Sequence, residues 1–269
     1  MKNKQSPLLE YENHWPTRMG GAIIGQERVV IRGKDLFTDL SHYSWHQLLL
    51  FMITGREFDD KQAQFLDRLW AMCISYPDPR IWNNRIAALA ATNRSTASLG
   101  VGAGVAVSEA KIYGGQATLA AIQFIRKTYL QLQQNNSLDD LLKEELKQQR
   151  RIAGYGRPVT DRDERVEHVK QVIKEFEYEL SDHAKLAFEI EQKLEQGRLR
   201  YKMNIAGLVG AIAIDMGFSD KEYYYWLING YNAGLIASYV DAREKPQGAL
   251  FPLRCEKINY LGFKDREWN

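Results

Sequence analysis

The sequence predicts an all-α fold with a small β-hairpin near the start of the chain. Apolar residues recur at helical spacing through most of the 269 residues. Prolines and glycines separate these periodic segments, and only two short runs have the composition of strands. A chain of this length can bury a substantial core as one large or two smaller units.

The two predicted strands lie near residues 22–24 and 29–31, where Ala and β-branched Ile and Val dominate. Gly25 and Gly33 follow them as turn residues. We therefore expect one hairpin before the first long helix.

Four segments then show one apolar face at helical spacing. The second segment is expected to end at Tyr76-Pro77-Asp78-Pro79, because proline lacks an amide donor and disfavours helical geometry before it. The last is expected to stop at Gly197. The apolar residues are Trp45, Leu48, Leu49 and Met52; Phe65, Leu66, Leu69, Trp70 and Cys73; Val169, Val172, Ile173 and Phe176; and Leu186, Ile190 and Leu194.

Small residues dominate the segments 86–91 and 95–107. Helices of this composition allow close backbone approach, so we predict a central packing helix or an interface rather than a ligand site. Asn93 and Arg94 interrupt the pattern and argue against a membrane span.

Composition excludes several classes of function. A net charge of +2 does not suit a general nucleic-acid binder. Cys73 and Cys255 are too far apart for a disulfide framework or a zinc-ligand spacing, so we expect a reducing cytoplasmic location and no metal site. The first residues are polar rather than an apolar signal core, which favours a soluble, unexported protein.

A charged segment, residues 138–165, is predicted to be a domain junction or a surface excursion. It contains a glycine turn, Gly154-Tyr155-Gly156-Arg157-Pro158-Val159, among the arginines at 150, 151, 162 and 165. Glycines let backbone amides approach an anion, and arginines supply forked donors to phosphate. The alternative is a solvated loop.

Read in order, three fragments resemble the citrate synthase superfamily. The family pattern is a His-Gly-Gly, a Gly-aromatic-Gly-His-x-Val turn, and an Asp shortly before a Gly that opens an apolar helix. The fragments here are Ile112-Tyr113-Gly114-Gly115, the glycine turn, and Asn204-Ile205-Ala206-Gly207-Leu208-Val209-Gly210. The likeness extends from about residue 20 onward and looks closest to the citryl-CoA lyase branch, which includes the lyase module of ATP citrate lyase.

The resemblance implies an all-α homodimer with two domains. It places the large domain at residues 1–115 and 216–269, and a mobile, coenzyme A-binding small domain at residues 116–215. It also implies an acyl-CoA and a carboxylic acid as small-molecule ligands. From charge, cysteine spacing and hydropathy we expect no metal, nucleic acid or membrane partner.

The catalytic positions depart from the family pattern. Family members make or break a carbon–carbon bond between an acyl-CoA and a keto acid, with an Asp as base and two His as donors. Motif matching places Tyr113 and Arg157 at the histidines and Ala206 at the Asp. Tyr113, Arg157 and Asn204 are therefore the predicted catalytic residues, and standard citrate synthase activity is expected to be absent or very weak. None of the five histidines is expected to replace the base, since each fits a surface or core-edge role.

Coenzyme A recognition depends less on the family's His and Asp residues that are replaced in this chain. The resemblance assigns it to Gly154, Tyr155, Gly156 and Arg165, which are retained in kind. Two functions follow: a CoA-dependent lyase or acyltransferase of altered mechanism, or a non-catalytic homologue that binds acyl-CoA or serves as a partner subunit.

Overall fold

The computed structural model describes residues 6–111, 114–157, 160, 162–197, 200–249 and 254–263. The architecture is mostly helical, as predicted, with a small sheet near the start. The strands are β1 (Gly20–Ile23), β2 (Arg28–Ile31) and β3 (Lys34–Asp35). The helices are α1 (Pro7–Glu10), α2 (Trp45–Thr54), α3 (Asp60–Met72), α4 (Trp82–Thr92), α5 (Ala97–Val107), α6 (Gly115–Leu132), α7 (Leu138–Gln149), α8 (Glu164–Glu175), α9 (Asp182–Gln196), α10 (Ile205–Asp215), α11 (Asp220–Ile228) and α12 (Gly230–Arg243), followed by a 3₁₀ turn at Cys255–Lys257.

The predicted hairpin is confirmed and is extended by a third strand. β1 and β2 pair antiparallel, with Gly20 opposite Ile31, and β2 then pairs antiparallel with β3. Gly33 has a φ of +85°, which lets the chain reverse tightly between β2 and β3. β3 spans two residues, which is too short to produce a visible alternation in sequence.

The first long helices follow local signals. Ser44 and Gln47 form a reciprocal capping box at the start of α2, and Gly55 ends that helix with a φ of +72°. α3 is shorter than predicted, because it ends at Met72 rather than near Pro77. Beyond it, the amide of Ser75 donates to the carbonyl of Gly230 at 3.4 Å, a tertiary bond that helix periodicity does not reveal.

The described residues form two compact units. The first comprises Met1–Met72 and Thr118–Leu227. Its core contains the predicted apolar faces of α8 and α9, including Val169, Ile190 and Leu194, together with nearly every residue of α10. Full burial of α10 explains its composition, since an apolar helix with no polar face requires neighbours on all sides.

The second unit comprises Cys73–Ala117 and Ile228–Asn269. Here α4, α5 and α12 pack around a cluster that includes Ala87, Leu235 and Tyr239. A Cβ added at Gly104 would lie 2.4 Å from the Leu235 side chain, and one at Gly100 would lie 2.9 Å from the Cβ of Ala90. Gly100 and Gly104 of α5 therefore serve close helix packing, as predicted, whereas Ala97, Ser98, Gly102, Ala103 and Ala106 are exposed.

The charged segment 138–165 belongs to the first unit. Its first half forms α7, with Leu138 and Leu142 buried and most of its acidic and basic side chains exposed. Within the described residues, no helix is long and apolar enough to cross a membrane. The division into a large and a mobile small domain stays a prediction.

Candidate functional site

The glycine turn lies directly against the start of α10. Gly154 and Gly156 have φ values of +88° and +77°, in the region that glycine adopts without strain. A Cβ added at Gly207 would lie 2.5 Å from the Gly154 carbonyl oxygen, and one at Gly154 would lie 3.0 Å from the Gly207 Cα. The third and second family-like fragments thus meet backbone to backbone.

Hydrogen bonds hold the turn beside the segment that precedes α10. The amide of Gly156 donates to the Lys202 carbonyl at 2.7 Å, and the amide of Asn204 donates to the Gly154 carbonyl at 2.9 Å. Between the turn and this segment, Tyr155 and Met203 pair in the antiparallel manner of neighbouring β-strands. The Gly156 amide is therefore engaged within the protein, which corrects the expectation that it would face an anion.

Asn204 connects the turn to the helix. Its side-chain oxygen accepts from the amides of Ala206 at 3.0 Å and Gly207 at 3.3 Å, which caps the N-terminus of α10. Its side-chain nitrogen donates to the Gly156 carbonyl at 3.0 Å. Both ends of this amide have structural partners, so its contacts are those of a positioning residue; a direct catalytic role stays a prediction.

Tyr155 is buried, with 5% of its surface exposed. Its hydroxyl donates to the carbonyl of Ala187 in α9 at 2.8 Å. Burial raises the pKa of Tyr155 well above its usual value, and the charge of Glu191 adds to this effect. The side chain anchors the turn in the core.

Asp163 is the electrostatic centre of the site. Its buried carboxylate receives two hydrogen bonds from the Arg165 guanidinium, each at 2.8 Å, and one from the amide of Ile205 at 3.0 Å. It also caps α8 by accepting from the Arg165 amide at 3.2 Å. One carboxylate therefore ties together the starts of α8 and α10.

These contacts change the protonation of Asp163. Burial alone raises the pKa of this carboxyl, but the hydrogen bonds and positive charge of Arg165 outweigh burial. The Ile205 amide and the charge of Arg157 act in the same direction, and the pKa is lowered overall. Arg165, predicted to contact coenzyme A, here holds Asp163 in its ionised form.

Arg157 lies beside the Asp163 carboxylate, but its hydrogen bond is to the adjacent Glu164. Its Nη1 donates to Oε2 of Glu164 at 2.5 Å and lies 3.7 Å from Oδ1 of Asp163. The Arg157 side chain is 18% exposed, whereas that of Glu164 is 56% exposed. The guanidinium is thus fixed at one nitrogen and remains accessible to solvent.

The sequence did not single out Asp163 or Glu164. The available signal was local: an Asp immediately before a predicted helix is a frequent N-cap. Tyr113, Pro158 and Val159 lie outside the described residues, so the structure does not place the predicted tyrosine donor.

Two histidines have specific partners within the first unit. His46 is buried, rather than at a core edge, and its Nε2 accepts from the Trp226 indole at 3.0 Å. His183 Nδ1 lies 2.8 Å from the buried carboxylate of Asp215, which also accepts from the amides at the start of α9. Across the described part of the chain, no three metal-ligating side chains cluster.

A shallow cleft of about 200 Å³ lies next to the turn in the first unit. Gln123 and Lys127 of α6 line one side, and Gln149, Arg151 and Ala153 line the other. Lys127 is paired with Glu145 at 3.2 Å. The cleft carries more basic than acidic side chains. Ala153, one of its lining residues, directly precedes Gly154 in the sequence.

Solved structures share this fold. Citryl-CoA lyase from Hydrogenobacter thermophilus matches with a TM-score of 0.81 and 22% identity, covering 95% of this chain and 98% of that protein. ATP citrate lyase from Methanothrix soehngenii, in complex with citrate and coenzyme A, matches with a TM-score of 0.74 and 17% identity over 96% of this chain. This chain spans 44% of the length of that protein.

A citrate synthase from Thermotoga maritima MSB8 matches less completely, with a TM-score of 0.60 and 16% identity over 84% of this chain and 60% of that one. No curated protein sequence matches this chain significantly. The family model for the citrate synthase C-terminal domain matches residues 22–249. This match covers most of the sequence, so the chain belongs to the citrate synthase family.

Proposed function

We propose that this protein is a CoA-dependent carbon–carbon lyase or synthase that acts on an acyl-CoA and a keto acid. The observation that carries the proposal is the docking of the glycine turn on the first residues of α10, in a chain of the citrate synthase family. Similar proteins have been solved with citrate and coenzyme A or with (3S)-citryl-CoA. Transfer of CoA binding to this chain is part of the proposal.

Coenzyme A binding is supported by the positive charge around the turn. The side chain of Tyr155 points into the core, while Arg151 and Lys127 line the adjoining cleft. Basic side chains beside a glycine turn suit a ligand with several phosphates. In this arrangement Arg165 pairs with Asp163 beside the turn, and its contact with a phosphate of coenzyme A stays part of the proposal.

The reaction requires a donor at each carbonyl oxygen and a base for the carbon next to the thioester. Arg157 supplies a fixed cation for the acid substrate, and Tyr113 carries a hydroxyl suited to the thioester oxygen. Ala206, at the family's Asp position, abstracts no proton. Bond formation therefore needs a base other than residue 206.

Ala206 also supports a second candidate function: a non-catalytic homologue that binds acyl-CoA or serves as a partner subunit. The two functions differ in one measurable property. An enzyme exchanges the α-hydrogen of a bound acyl-CoA with solvent or cleaves a citryl-CoA-like ester, whereas a binder does neither.

Calorimetry with coenzyme A and acetyl-CoA tests binding, and deuterium exchange at the acetyl methyl group tests catalysis. We expect binding, and exchange that is abolished in Tyr113→Phe and Arg157→Ala. Binding without exchange or turnover would favour the non-catalytic function. No binding of CoA esters would refute both the enzyme and the acyl-CoA binder and would leave the partner subunit. Thiol release from acetyl-CoA with oxaloacetate should stay near background, because the family's catalytic Asp and histidines are absent.

We further propose a homodimer formed by the outer faces of α5 and α12 in the second unit. Leu99, Ile236 and Val240 are 69%, 51% and 55% exposed, and α5 carries no charged residue. Along α12 the exposed positions 233, 236, 237 and 240 are all apolar and share one helical face. Such a two-helix apolar surface suits a second copy of the same chain.

A further inference from the structure

The Arg157 guanidinium has one anchored edge and one open edge. Nη1 is held by Glu164 at 2.5 Å and faces Asp163 at 3.7 Å. Nε and Nη2 make no hydrogen bond to any described residue. Because the guanidinium is planar, anchoring Nη1 leaves the Nε–Nη2 edge as a pair of parallel donors.

We propose that this edge is a binding site for one oxyanion, a carboxylate or a phosphate, which it takes in a two-point contact. The inference deepens the proposed function, since it names the chemical group that the turn receives. Two parallel N–H donors match the spacing of two oxygens on one carboxylate or phosphate. A histidine at this position would offer a single donor, so arginine changes the group that is recognised from a carbonyl oxygen to an oxyanion.

Two acidic residues set the selectivity of the site. Asp163 is buried and already fully paired with Arg165, so its charge is largely balanced. Glu164 is more than half exposed and bonds only one edge of Arg157. Glu164 therefore has two opposing effects: its hydrogen bond orients the guanidinium, and its negative charge repels an arriving anion.

These two effects can be separated by substitution. Glu164→Gln keeps a side-chain oxygen that can accept from Nη1 but removes the charge, so oxyanion affinity should rise about two- to fivefold, as for a partly exposed charge pair. Glu164→Ala removes both and should bind more weakly than Glu164→Gln. Neither change touches the buried Asp163–Arg165 pair, so thermal stability should stay close to wild type.

The test is calorimetry of the full chain with three probes: oxaloacetate, coenzyme A and inorganic phosphate. Arg157→Ala and Arg157→Lys should each lose at least about tenfold in affinity for an oxyanion probe, because lysine keeps the charge but not the planar edge. Arg162→Ala is the matched control, since it removes an equal charge from an exposed arginine nearby and should change the affinity for oxaloacetate less than twofold.

Loss of oxaloacetate binding alone in Arg157→Ala would identify a substrate carboxylate as the occupant, and loss of coenzyme A binding alone would identify a phosphate. Wild-type protein that binds none of the probes, or an Arg157→Ala variant within twofold of wild type for all three, would overturn the proposal. Affinity in Glu164→Gln that is unchanged or lower would overturn the role of Glu164. Arg157-dependent binding without exchange or turnover would refute catalysis while leaving this inference standing.

Discussion

Replacing Gly207 by alanine should separate the glycine turn from α10. The new Cβ would lie 2.5 Å from the Gly154 carbonyl oxygen, well inside the ordinary contact distance of 3.4 Å. That oxygen also accepts the Asn204 amide at 2.9 Å, so the backbone on both sides is constrained. Relief of the clash must move the turn or the start of the helix.

The magnitude follows from three contributions. Overpacking against fixed backbone costs about 1–3 kcal/mol, and weakening the Asn204–Gly154 hydrogen bond costs about 1 kcal/mol more. Higher helix propensity returns up to about 1 kcal/mol. The free energy of unfolding of Gly207→Ala should therefore fall by about 1–3 kcal/mol.

Gly210→Ala is the matched control on the same helix. Its added Cβ would lie 3.6 Å from the nearest atoms, Ile122 Cβ and the Tyr223 hydroxyl, which is ordinary contact. This variant gains helix propensity without a clash and should be as stable as wild type or more so.

Urea and thermal unfolding followed by circular dichroism compare the two variants. Their free energies of unfolding should differ by about 1–4 kcal/mol, which corresponds to roughly 2–16 °C in melting temperature for a chain of this size. Equal stability of Gly207→Ala and Gly210→Ala would refute the backbone-to-backbone packing of the turn on α10.

Three further predictions concern the cap, the buried histidine and the interface. Asn204→Ala should lower the free energy of unfolding by about 1–2 kcal/mol in urea unfolding, because it removes both the α10 cap and the bond to Gly156. Asn204→Asp should lower it less, since aspartate keeps the cap. Equal losses of stability in the two variants would contradict this. Burial lowers the pKa of His46, although the charge of the nearby Asp67 acts in the opposite direction. The folded protein therefore favours the neutral imidazole. Its contribution to the free energy of unfolding is complete above the unfolded pKa of about 6.5 and is lost as pH falls through the lower folded pKa. The urea midpoint of wild type should therefore fall between pH 7 and pH 5 more than that of His46→Gln, and parallel pH profiles would contradict the assignment. Ile236→Asp should convert the dimer to a monomer, as measured by light scattering. A substitution at the exposed Arg80 should leave the dimer intact. An Ile236→Asp variant that remains a dimer would exclude this interface.

Much of the architecture could be predicted from local sequence. The spacing of Val169 and Val172 and of Ile190 and Leu194 identified buried helix faces, because a helix with one apolar side must turn it toward the core. Gly197 marked the end of α9, and the order of three short motifs identified the family. α3 ends at Met72 rather than near Pro77, and the bond beyond it, from Ser75 to Gly230, is long-range and leaves no local signal.

The candidate site depended more strongly on tertiary structure. Sequence alone identified a glycine turn with an unusual arginine where the family keeps a histidine. Only the fold showed that Asp163 bonds to Ile205, 42 residues away, and that Asn204 bonds to Gly156, 48 residues away. Hydrogen bonds between such distant residues depend on how helices pack, and packing is set by the whole core rather than by neighbouring side chains. For this reason the glycines and arginine of the turn could be identified from the sequence, whereas the open edge of Arg157 depends on the tertiary structure.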